Sequence, residues 1–259
     1  MLATVLTLVA VLVCVVSLVV WRVRTNADWA LWWHDNYLER IRDFLTGTTR
    51  PVRILQHVQR SAKQGDALSV ITAIDSYCSK VEWAMNVGDK KGEILDTVVL
   101  ETRPRYVLEL GTYCGYSTLR IARLLPPGAR LITIEMNPHY AQVAREIFQY
   151  AGLDAQVELL VGSSTVLIPQ LKKKLDIEKF DLVFIDHWKV SYLPDTKLLE
   201  ECGLLKAGTI LLADNVICPG APDYLEYIRN CPRYRSQCFP AQLEYLQVED
   251  GVEKSVFLG

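Results

Sequence analysis

Short apolar runs of strand length alternate with amphipathic stretches of helical length from Arg105 onward. The apolar runs are Tyr106–Leu110, Leu131–Glu135, Val157–Val161, Leu182–Ile185 and Ile210–Ala213. Strands that alternate with helices predict βαβ units, which build a mostly parallel sheet with helices on both faces. We therefore expect an α/β chain with a Rossmann-like arrangement, whose ligands bind at the carboxyl ends of the strands.

The last part of the chain, from Tyr234 onward, lacks a long helical stripe. It predicts two strands, Leu243–Val248 and Lys254–Leu258, joined by a turn at Asp250–Gly251. Asp-Gly is a common two-residue turn in β-hairpins. The sheet is therefore expected to end in an antiparallel hairpin.

Helical periodicity dominates the region before the first strand. It predicts helices over residues 34–46 and 51–62, and a third helix that Asp66 caps. Residues 83–91 break the periodicity and predict a loop, which is followed by a further helix that ends near Pro104.

The amino terminus carries a long apolar segment, Leu2–Trp21, which contains no charged residue. About 20 apolar residues in a helix cover the roughly 30 Å hydrocarbon core of a bilayer. A cleavable signal peptide would carry a basic residue before this segment, but here Arg22 and Arg24 follow it instead. We expect a single-pass transmembrane anchor; the alternative is an apolar helix within a core. The two arginines place the rest of the chain on the cytoplasmic side of the endoplasmic reticulum or plasma membrane.

The length and composition agree with a membrane-anchored globular protein. The 259 residues accommodate an anchor at 2–21, a juxtamembrane linker and helix at 22–49, and one domain at 50–259. A formal net charge of -2 gives no reason to expect nucleic-acid binding. The seven cysteines include no CxxC pair and no Cys/His cluster, so neither a disulfide framework nor a structural zinc site is indicated.

A turn with two glycines follows the first predicted strand, where Glu109–Ser117 reads Glu-Leu-Gly-Thr-Tyr-Cys-Gly-Tyr-Ser. Glycine at a strand-to-helix turn lets a ligand approach the backbone closely. Neither the dinucleotide pattern GxGxxG nor the phosphate-binding Walker pattern is present. Glu135 ends the second strand, where a carboxylate can accept hydrogen bonds from ribose hydroxyls. These features indicate S-adenosylmethionine, whose cationic sulfonium suits the nearby Glu109; the alternative is a tight turn in an unrelated α/β protein.

Three polar side chains follow two consecutive predicted strands, Asp186 after one strand and Asp214 and Asn215 after the next. Because parallel strands deliver their carboxyl ends to one edge, we expect these side chains to converge near the cofactor turn. Two carboxylates and an amide, without a His or Cys partner, suit a hard cation such as Mg²⁺. A single aspartate at a strand end is more often a cap, but two such strand ends together favour a metal site.

Lys189 lies three residues beyond Asp186, in the segment Asp-His-Trp-Lys. An ordinary lysine is a poor base at neutral pH, but a divalent cation nearby favours its neutral amine. The same cation acidifies a hydroxyl group beside it. Lys189 is therefore a candidate general base, whereas a lone lysine in a loop would be read as a solvated charge.

Four segments together carry a family resemblance: Trp83–Gly92, Leu108–Ser117, Asp186–Lys189 and Leu211–Asp223. They closely resemble the catechol O-methyltransferases in their membrane-bound form, which belong to the class I S-adenosylmethionine-dependent methyltransferases. The resemblance extends from about residue 50 to the C-terminus, whereas the anchor is similar in kind rather than in sequence. It implies a Rossmann-like methyltransferase fold. It also implies Mg²⁺-dependent methyl transfer to one hydroxyl of a catechol, such as a catecholamine or a catechol estrogen.

The resemblance implies a role for each matching residue. The metal ligands would be Asp186, Asp214 and Asn215. The catalytic residues would be Lys189, as general base, and Glu244, which would bind the second catechol hydroxyl. Lys189 and Asn215 would also contact the substrate, whose ring would lie between the apolar walls Trp83, Trp188 and Pro219. The cofactor would be lined by Met85, Val87, Glu109, Gly111, Tyr113, Ser117, Glu135, Met136, Ser164, His187 and Trp188.

Two positions depart from the family pattern. Thr165 stands where the family usually carries Gln beside the adenine, and Val190 replaces an acidic residue directly after Lys189. The first departure is expected to weaken cofactor binding modestly, and the second to alter the field around the base. Neither removes a predicted metal ligand.

Alternative functions remain open at this point. One is a methyltransferase for other vicinal diols on aromatic rings, such as caffeoyl-type substrates. Another is a membrane-anchored protein with a binding or trafficking role, like the transmembrane O-methyltransferase of sensory hair cells, which resembles the chain in its Gly-Thr-Tyr-Cys-Gly-Tyr-Ser-Thr-Leu turn. That branch does not keep the Asp-His-Trp-Lys segment, so the intact segment here favours an enzyme.

Overall fold

The structure is a computed structural model, which describes residues 37–259 together with Ser17, Leu18, Trp21 and Trp33. None of the helices in this described part is long and apolar enough to cross a membrane. The anchor predicted over Leu2–Trp21 falls outside the described residues, apart from three positions within it. A membrane-spanning role for this segment therefore stays a prediction.

The chain divides into two compact units, Met1–Thr49 and Arg50–Gly259. The described part of the first unit contains helix α1 (Glu39–Thr46). Its apolar side chains, among them Phe44 and Leu45, are exposed.

The second unit consists of helices packed around a sheet. Its helices are α2 (Arg50–Ser61), α3 (Ala67–Lys80), α4 (Gly88–Thr102), α5 (Tyr116–Ala122), α6 (Pro138–Ala151), α7 (Ser164–Leu167), α8 (Leu171–Leu175), α9 (Tyr192–Glu201) and α10 (Pro222–Asn230). Its strands are β1 (Tyr106–Leu110), β2 (Arg130–Glu135), β3 (Val157–Val161), β4 (Leu182–Ile185), β5 (Ile210–Ala213), β6 (Tyr234–Gln242) and β7 (Glu249–Phe257). Short helical turns lie at Ile168–Gln170, Lys189–Ser191 and Val216–Gly220.

The strands of this unit form one seven-stranded sheet in the order β3-β2-β1-β4-β5-β7-β6. Strands β1 to β5 are parallel, whereas β7 runs antiparallel to both β5 and β6. The predicted α/β fold with a mostly parallel sheet and antiparallel C-terminal strands is therefore confirmed. The five predicted parallel strands are present within one residue of their expected bounds.

Two apolar clusters cover the two faces of the sheet. One cluster contains Val107 and residues of α2 to α6, and the other contains Leu108 and residues of α8 to α10. Neighbouring residues of one strand belong to different clusters because successive side chains point to opposite faces. Burial on both faces explains why these strands read as continuous apolar runs rather than as alternating ones.

The predicted antiparallel C-terminal strands exist. The predicted strand Lys254–Leu258 lies within β7 apart from its last residue, whereas the predicted strand Leu243–Val248 is wrong, because it lies between the two observed strands. The strands observed are β6 and β7, and Asp250–Gly251 lies inside β7, opposite Ala241 and Pro240. The Asp250 carboxylate is buried and accepts hydrogen bonds from backbone N–H groups outside the hairpin, so tertiary contacts override the local turn preference. Strand β6 escaped notice because it is an edge strand, which tolerates polar residues and a proline that an interior strand would exclude.

The region before the sheet follows the predicted pattern with one correction. Asp66 caps α3, as predicted, by accepting a hydrogen bond from the backbone N–H of Ser69 at 3.0 Å. The predicted loop over 83–91 is wrong in its second half, since α4 begins at Gly88. The Asn86 side chain accepts a hydrogen bond from the Gly88 N–H at 2.8 Å and so satisfies a donor at the start of this helix.

Candidate active site

The turn after β1 lies directly against the end of β4. Gly111 has a φ of 95°, and a Cβ atom added to it would lie 2.4 Å from the carbonyl oxygen of Asp186. Any side chain at this position would therefore clash with backbone as well as adopt a strained conformation. The predicted cofactor turn and the first predicted metal ligand are thus immediate neighbours.

Glu109 lies beneath this turn and is completely buried. Its two carboxylate oxygens accept hydrogen bonds from the hydroxyl groups of Ser117, at 2.6 Å, and Thr118, at 2.5 Å. Burial raises the pKa of Glu109 to about 7, because the charged form loses its hydration. A cation bound close by would favour the ionised carboxylate.

Glu135 joins the end of β2 to the same turn. One of its oxygens accepts hydrogen bonds from the backbone N–H groups of Thr112, at 3.2 Å, and Tyr113, at 2.8 Å. The other accepts a hydrogen bond from the Asn137 N–H at 2.8 Å. Since a carboxylate offers about four acceptor sites, capacity for ligand hydroxyls remains after these contacts.

His187 is held by Asp195, a residue that sequence analysis did not identify. The His187 Nε2 atom lies 2.8 Å from one carboxylate oxygen of Asp195, and the Thr165 hydroxyl donates to the other at 3.1 Å. Burial would raise the pKa of Asp195, but its hydrogen bonds with His187, Ser164 and Thr165 hold it below the ordinary value. Among the described residues, the buried His187 Nδ1 has no hydrogen-bond partner, so its hydrogen-bonding capacity is unused.

The remaining predicted cofactor and ring-binding residues differ in exposure. Val87 is buried, whereas Met136 is 64% and Trp188 69% exposed. The Met136 and Trp188 side chains are therefore accessible to a ligand. Trp83 is partly buried, and its indole N–H donates to the Glu244 backbone carbonyl at 2.9 Å.

The predicted metal ligands converge at the carboxyl edge of β4 and β5. Lys189 Nζ lies 3.4 Å from Asp186 Oδ1 and 3.2 Å from Asn215 Oδ1, so these two oxygens surround one position that a cationic group occupies. Asp214 and Asn215 are fully buried, and Asn215 adopts a left-handed φ of 53°. Within the described part of the chain, Asp214 Oδ2 has no hydrogen-bond partner, whereas Asp214 Oδ1 faces the Lys91 ammonium group at 2.9 Å.

Behind these ligands lies a buried cluster of charged groups around Lys91. Its Nζ atom lies 2.6 Å from Glu244 Oε1, 2.7 Å from Asp250 Oδ2 and 2.9 Å from Asp214 Oδ1, and all four side chains have zero exposure. Burial would lower the pKa of Lys91, but the three carboxylates raise it well above the ordinary value. Lys91 is therefore a permanent ammonium group.

Carboxyl groups outnumber ammonium groups at this edge. Four carboxylates, those of Asp186, Asp214, Glu244 and Asp250, face two ammonium groups. Burial raises the pKa of Asp186 to about 8, since an ionised carboxylate is poorly solvated there. No group of three or more His, Cys, Asp or Glu residues suited to a metal occurs in the described part of the chain. The predicted ligand set contains only two carboxylates and an amide, and these oxygen donors fit a hard divalent cation, whose charge would favour the ionised form of Asp186.

Lys189 makes its shortest contact with a residue that sequence analysis missed. Its Nζ atom donates to the Tyr192 hydroxyl at 2.5 Å, and this hydroxyl in turn donates to the Asp214 backbone carbonyl at 3.0 Å. Burial raises the pKa of Tyr192 well above its ordinary value, so the phenol stays protonated. Tyr192 therefore ties the lysine to the end of β5.

Four residues that contact the predicted site carried no distinguishing sequence signal: Lys91, Tyr192, Asp195 and Asp250. Lys91 follows Lys90, and no local pattern indicates that one of them is buried and the other exposed. Asp250 stands in an Asp-Gly pair that is typical of turns. Only the spatial partners of these residues reveal their roles.

Comparisons with known proteins agree with this arrangement. The O-methyltransferase family model matches residues 59–226. Catechol O-methyltransferase B of Danio rerio is 62% identical over 92% of this chain and 90% of its own length. The transmembrane O-methyltransferase of Homo sapiens is 42% identical over 86% of this chain and 77% of its own length. A crystal structure of the O-methyltransferase from Bacillus cereus in complex with SAH has a TM-score of 0.60 and 25% identity, and covers 71% of this chain and 97% of that one.

The raised pKa of Glu109 predicts a pH-dependent stability in the ligand-free protein. The ordinary pKa is 4.5 and the folded value about 7, so the folded state binds the proton more tightly. The stability contributed by this proton is present below pH 4.5 and is lost as the pH rises through about 7. Glu109→Gln cannot lose a proton there. The variant should therefore gain on the order of 3 kcal/mol in unfolding free energy relative to wild type between pH 4 and pH 8.

Urea unfolding at a series of pH values measures this difference. Glu178→Gln, which neutralises an exposed carboxylate, serves as the control and should follow the wild-type curve. A constant offset between wild type and Glu109→Gln across this range would contradict the prediction.

Proposed function

This chain belongs to the O-methyltransferase family, and we propose that it transfers the methyl group of S-adenosylmethionine to one hydroxyl of a catechol. One structural observation supports this proposal independently of family membership. The glycine turn after β1 and the cluster of oxygen ligands after β4 and β5 meet at one sheet edge, with Gly111 against the Asp186 backbone. A methyl donor at the turn would therefore lie beside a hydroxyl bound at the cluster, which is the arrangement that direct transfer requires.

The cofactor is assigned to residues of β1, β2 and the segments that follow β3 and β4. Glu135, and Glu109 once a cation lies beside it, supply negative charge next to the turn. The His187 Nδ1 atom, which has no hydrogen-bond partner among the described residues, supplies an acceptor. The exposed side chains of Met136 and Trp188 offer apolar contacts. Tyr113, Ser117, Ser164, Met85 and Val87 complete the proposed lining.

We assign Mg²⁺ to Asp186, Asp214 and Asn215. When bound, this ion supplies positive charge that orients the two catechol oxygens and favours loss of a hydroxyl proton. Asp214 Oδ2, which has no hydrogen-bond partner among the described residues, and the excess of carboxyl groups over ammonium groups in the cluster support the assignment. The Asn215 amide nitrogen donates to Glu244 and Asp250, which leaves its oxygen directed toward Lys189.

Lys189 is assigned as the general base. Its Nζ atom lies within 3.4 Å of the Asp186 carboxylate and at 3.2 Å from the Asn215 oxygen, where an adjacent hydroxyl would lie within reach. Its contact with the Tyr192 hydroxyl fixes the direction of the amine. Val190, which follows it, is 74% exposed and contributes no charge at this position.

Glu244 is assigned to the second catechol hydroxyl. Its Oε1 atom accepts hydrogen bonds from Lys91, at 2.6 Å, and Asn215, at 3.1 Å. Its Oε2 atom is buried and has no hydrogen-bond partner among the described residues. A hydroxyl group would satisfy this oxygen, while Trp83, Trp188 and Pro219 would contact the ring.

Turnover of a simple catechol with labelled S-adenosylmethionine tests the proposed function. Methylation should occur with Mg²⁺ and stop in excess chelator. Asp214→Ala should abolish turnover while cofactor affinity stays within a few-fold, because the proposed cofactor contacts lie on other segments. The control Asp154→Ala removes an exposed loop carboxylate and should behave as wild type.

Full activity in chelator would exclude the metal assignment. A wild-type protein that binds S-adenosylmethionine but methylates no catechol would instead favour another vicinal diol as substrate, or a binding role without turnover.

Replacing Lys189 tests the general base. Lys189→Ala should lower kcat by about 10²- to 10⁴-fold with cofactor affinity largely kept. Higher pH should partly restore the rate, because the substrate hydroxyl can then lose its proton to solvent. Lys189→Arg should remain slow, since a guanidinium group stays protonated and cannot accept the proton. Wild-type kcat in Lys189→Ala near neutral pH would show that this amine takes no part in proton transfer.

We also propose that residues 2–21 anchor the chain in a membrane, with the enzyme on the cytoplasmic side. The apolar segment and the arginines after it support this, as does the name of the human transmembrane relative. Deleting residues 1–26 should give a soluble protein with nearly unchanged turnover, because every proposed site residue lies at or beyond Trp83. Carbonate extraction of the full chain from membranes, or protection of its C-terminal domain from protease in microsomes, would contradict this topology.

A further inference from the structure

The Lys91 ammonium group has no part in the methyl transfer described above, yet it lies at the centre of the buried cluster. It donates to Glu244 Oε1 and to Asp250 Oδ2, and it makes a third, ion-pair contact with Asp214. Its side chain has no exposed surface, so water cannot replace these partners. An ammonium group carries three donors, which is the number of carboxylates around it.

We propose that Lys91, held by Asp250, is a positioning residue that fixes the Glu244 carboxylate for the second hydroxyl of the substrate. This inference rests on the proposed catechol methylation. Because Lys91 and Asn215 both donate to Oε1, the rotation of the carboxylate is set and Oε2 becomes the oxygen without a partner.

Asp250 supplies the rigid support for this arrangement. Its Oδ2 atom accepts hydrogen bonds from Lys91 at 2.7 Å and from the Asn215 amide at 2.8 Å. Its Oδ1 atom accepts from the backbone N–H groups of Ile217, at 3.3 Å, and Cys218, at 3.0 Å. Strand β7 is thereby joined both to Lys91 on α4 and to the turn that carries a proposed wall of the substrate site.

The backbone around Glu244 is also closely packed. A Cβ atom added to Gly88, at the start of α4, would lie 3.0 Å from Glu244 Cγ, and Gly88 has a φ of 67°. The first turn of α4, which also carries Lys91, therefore packs directly against Glu244. Without the ammonium group, the carboxylates of Asp214, Glu244 and Asp250 would repel one another, and Glu244 would turn away from its neighbours.

An unsymmetrical catechol separates a positioning role from a purely structural one. With 3,4-dihydroxybenzoate, the ratio of the two monomethyl products reports how firmly the second hydroxyl is held. Lys91→Met should raise KM for this substrate about 10- to 100-fold and move the product ratio toward one, because the orientation of the ring is no longer specified. The affinity for S-adenosylmethionine should stay within about threefold.

Equilibrium binding provides a readout that does not depend on turnover. Titration of 3,4-dihydroxybenzoate into the protein with Mg²⁺ and S-adenosylhomocysteine should show the same loss of affinity in Lys91→Met. The matched control is Lys90→Met, which replaces the exposed neighbouring lysine and should leave KM, product ratio and binding unchanged. Lys91→Arg should not restore the ratio, since a planar guanidinium does not present three donors toward three separate carboxylates.

These measurements distinguish failure of the proposed function from failure of the Lys91 inference alone. If wild type does not methylate catechols, the proposed function fails, and this inference fails with it. If wild type does methylate them and folded Lys91→Met keeps the wild-type KM, product ratio and binding affinity, Lys91 is structural and the inference alone is wrong.

Should Lys91→Met not fold, the Asp250→Asn variant provides the test of the positioning role. It keeps the side-chain volume but removes one charge that holds the ammonium, and it should shift the product ratio in the same direction by a smaller amount.

Discussion

Parallel hydrogen bonding between β1, β4 and β5 positions the glycine turn and the proposed metal ligands at one edge of the sheet. Leu110 pairs with Ile185, and Ile185 pairs with Ala213, so the three strands end at the same level. The bonding continues one step further, since the Asp186 N–H donates to the Leu110 carbonyl at 2.9 Å and the Asp214 N–H to the Ile185 carbonyl at 3.0 Å. The proposed metal ligands are therefore held by the sheet itself, on backbone that cannot move independently.

Burial makes it energetically costly to keep several carboxylates ionised at this edge of the sheet. Carboxylates without compensation are costly in a poorly solvated environment, and the raised pKa values of Asp186 and Glu109 reflect that cost. Lys91 offsets part of the charge from within, and Lys189 does so from the side that faces the proposed substrate. The remaining negative charge is a physical reason for the site to take up cationic ligands, a divalent metal at the cluster and a sulfonium beside the turn.

Prediction succeeded where local pattern and global burial agree. The five parallel strands are buried on both faces, so their apolar runs stand out against the helices between them, and strand ends could be located within a residue. Prediction failed at β6 and at the beginning of β7, where a polar edge strand and an internal Asp-Gly pair gave the opposite local signal. The prediction of a loop over 83–91 was wrong in its second half for a related reason. Gly88 begins a helix that packs against Glu244, a residue that is far away in the sequence.

The sequence by itself determined the order of strands and helices, and with it the convergence of Asp186, Asp214 and Asn215 at one edge, because parallel strands leave no other place for their carboxyl ends. It also carried the family motifs, which are contiguous stretches and need no partner to be read. Only the tertiary structure decided which of two adjacent lysines is buried, which oxygen of Glu244 stays free, and which residues hold His187 and Lys189. Some of these contacts join residues that are far apart in the sequence, such as Thr165 and Asp195, 30 positions apart, and Lys91 and Asp250, 159 positions apart. Others join near neighbours that share no recognisable local pattern, such as Lys189 and Tyr192. A buried charge reveals its role only through the partners that surround it.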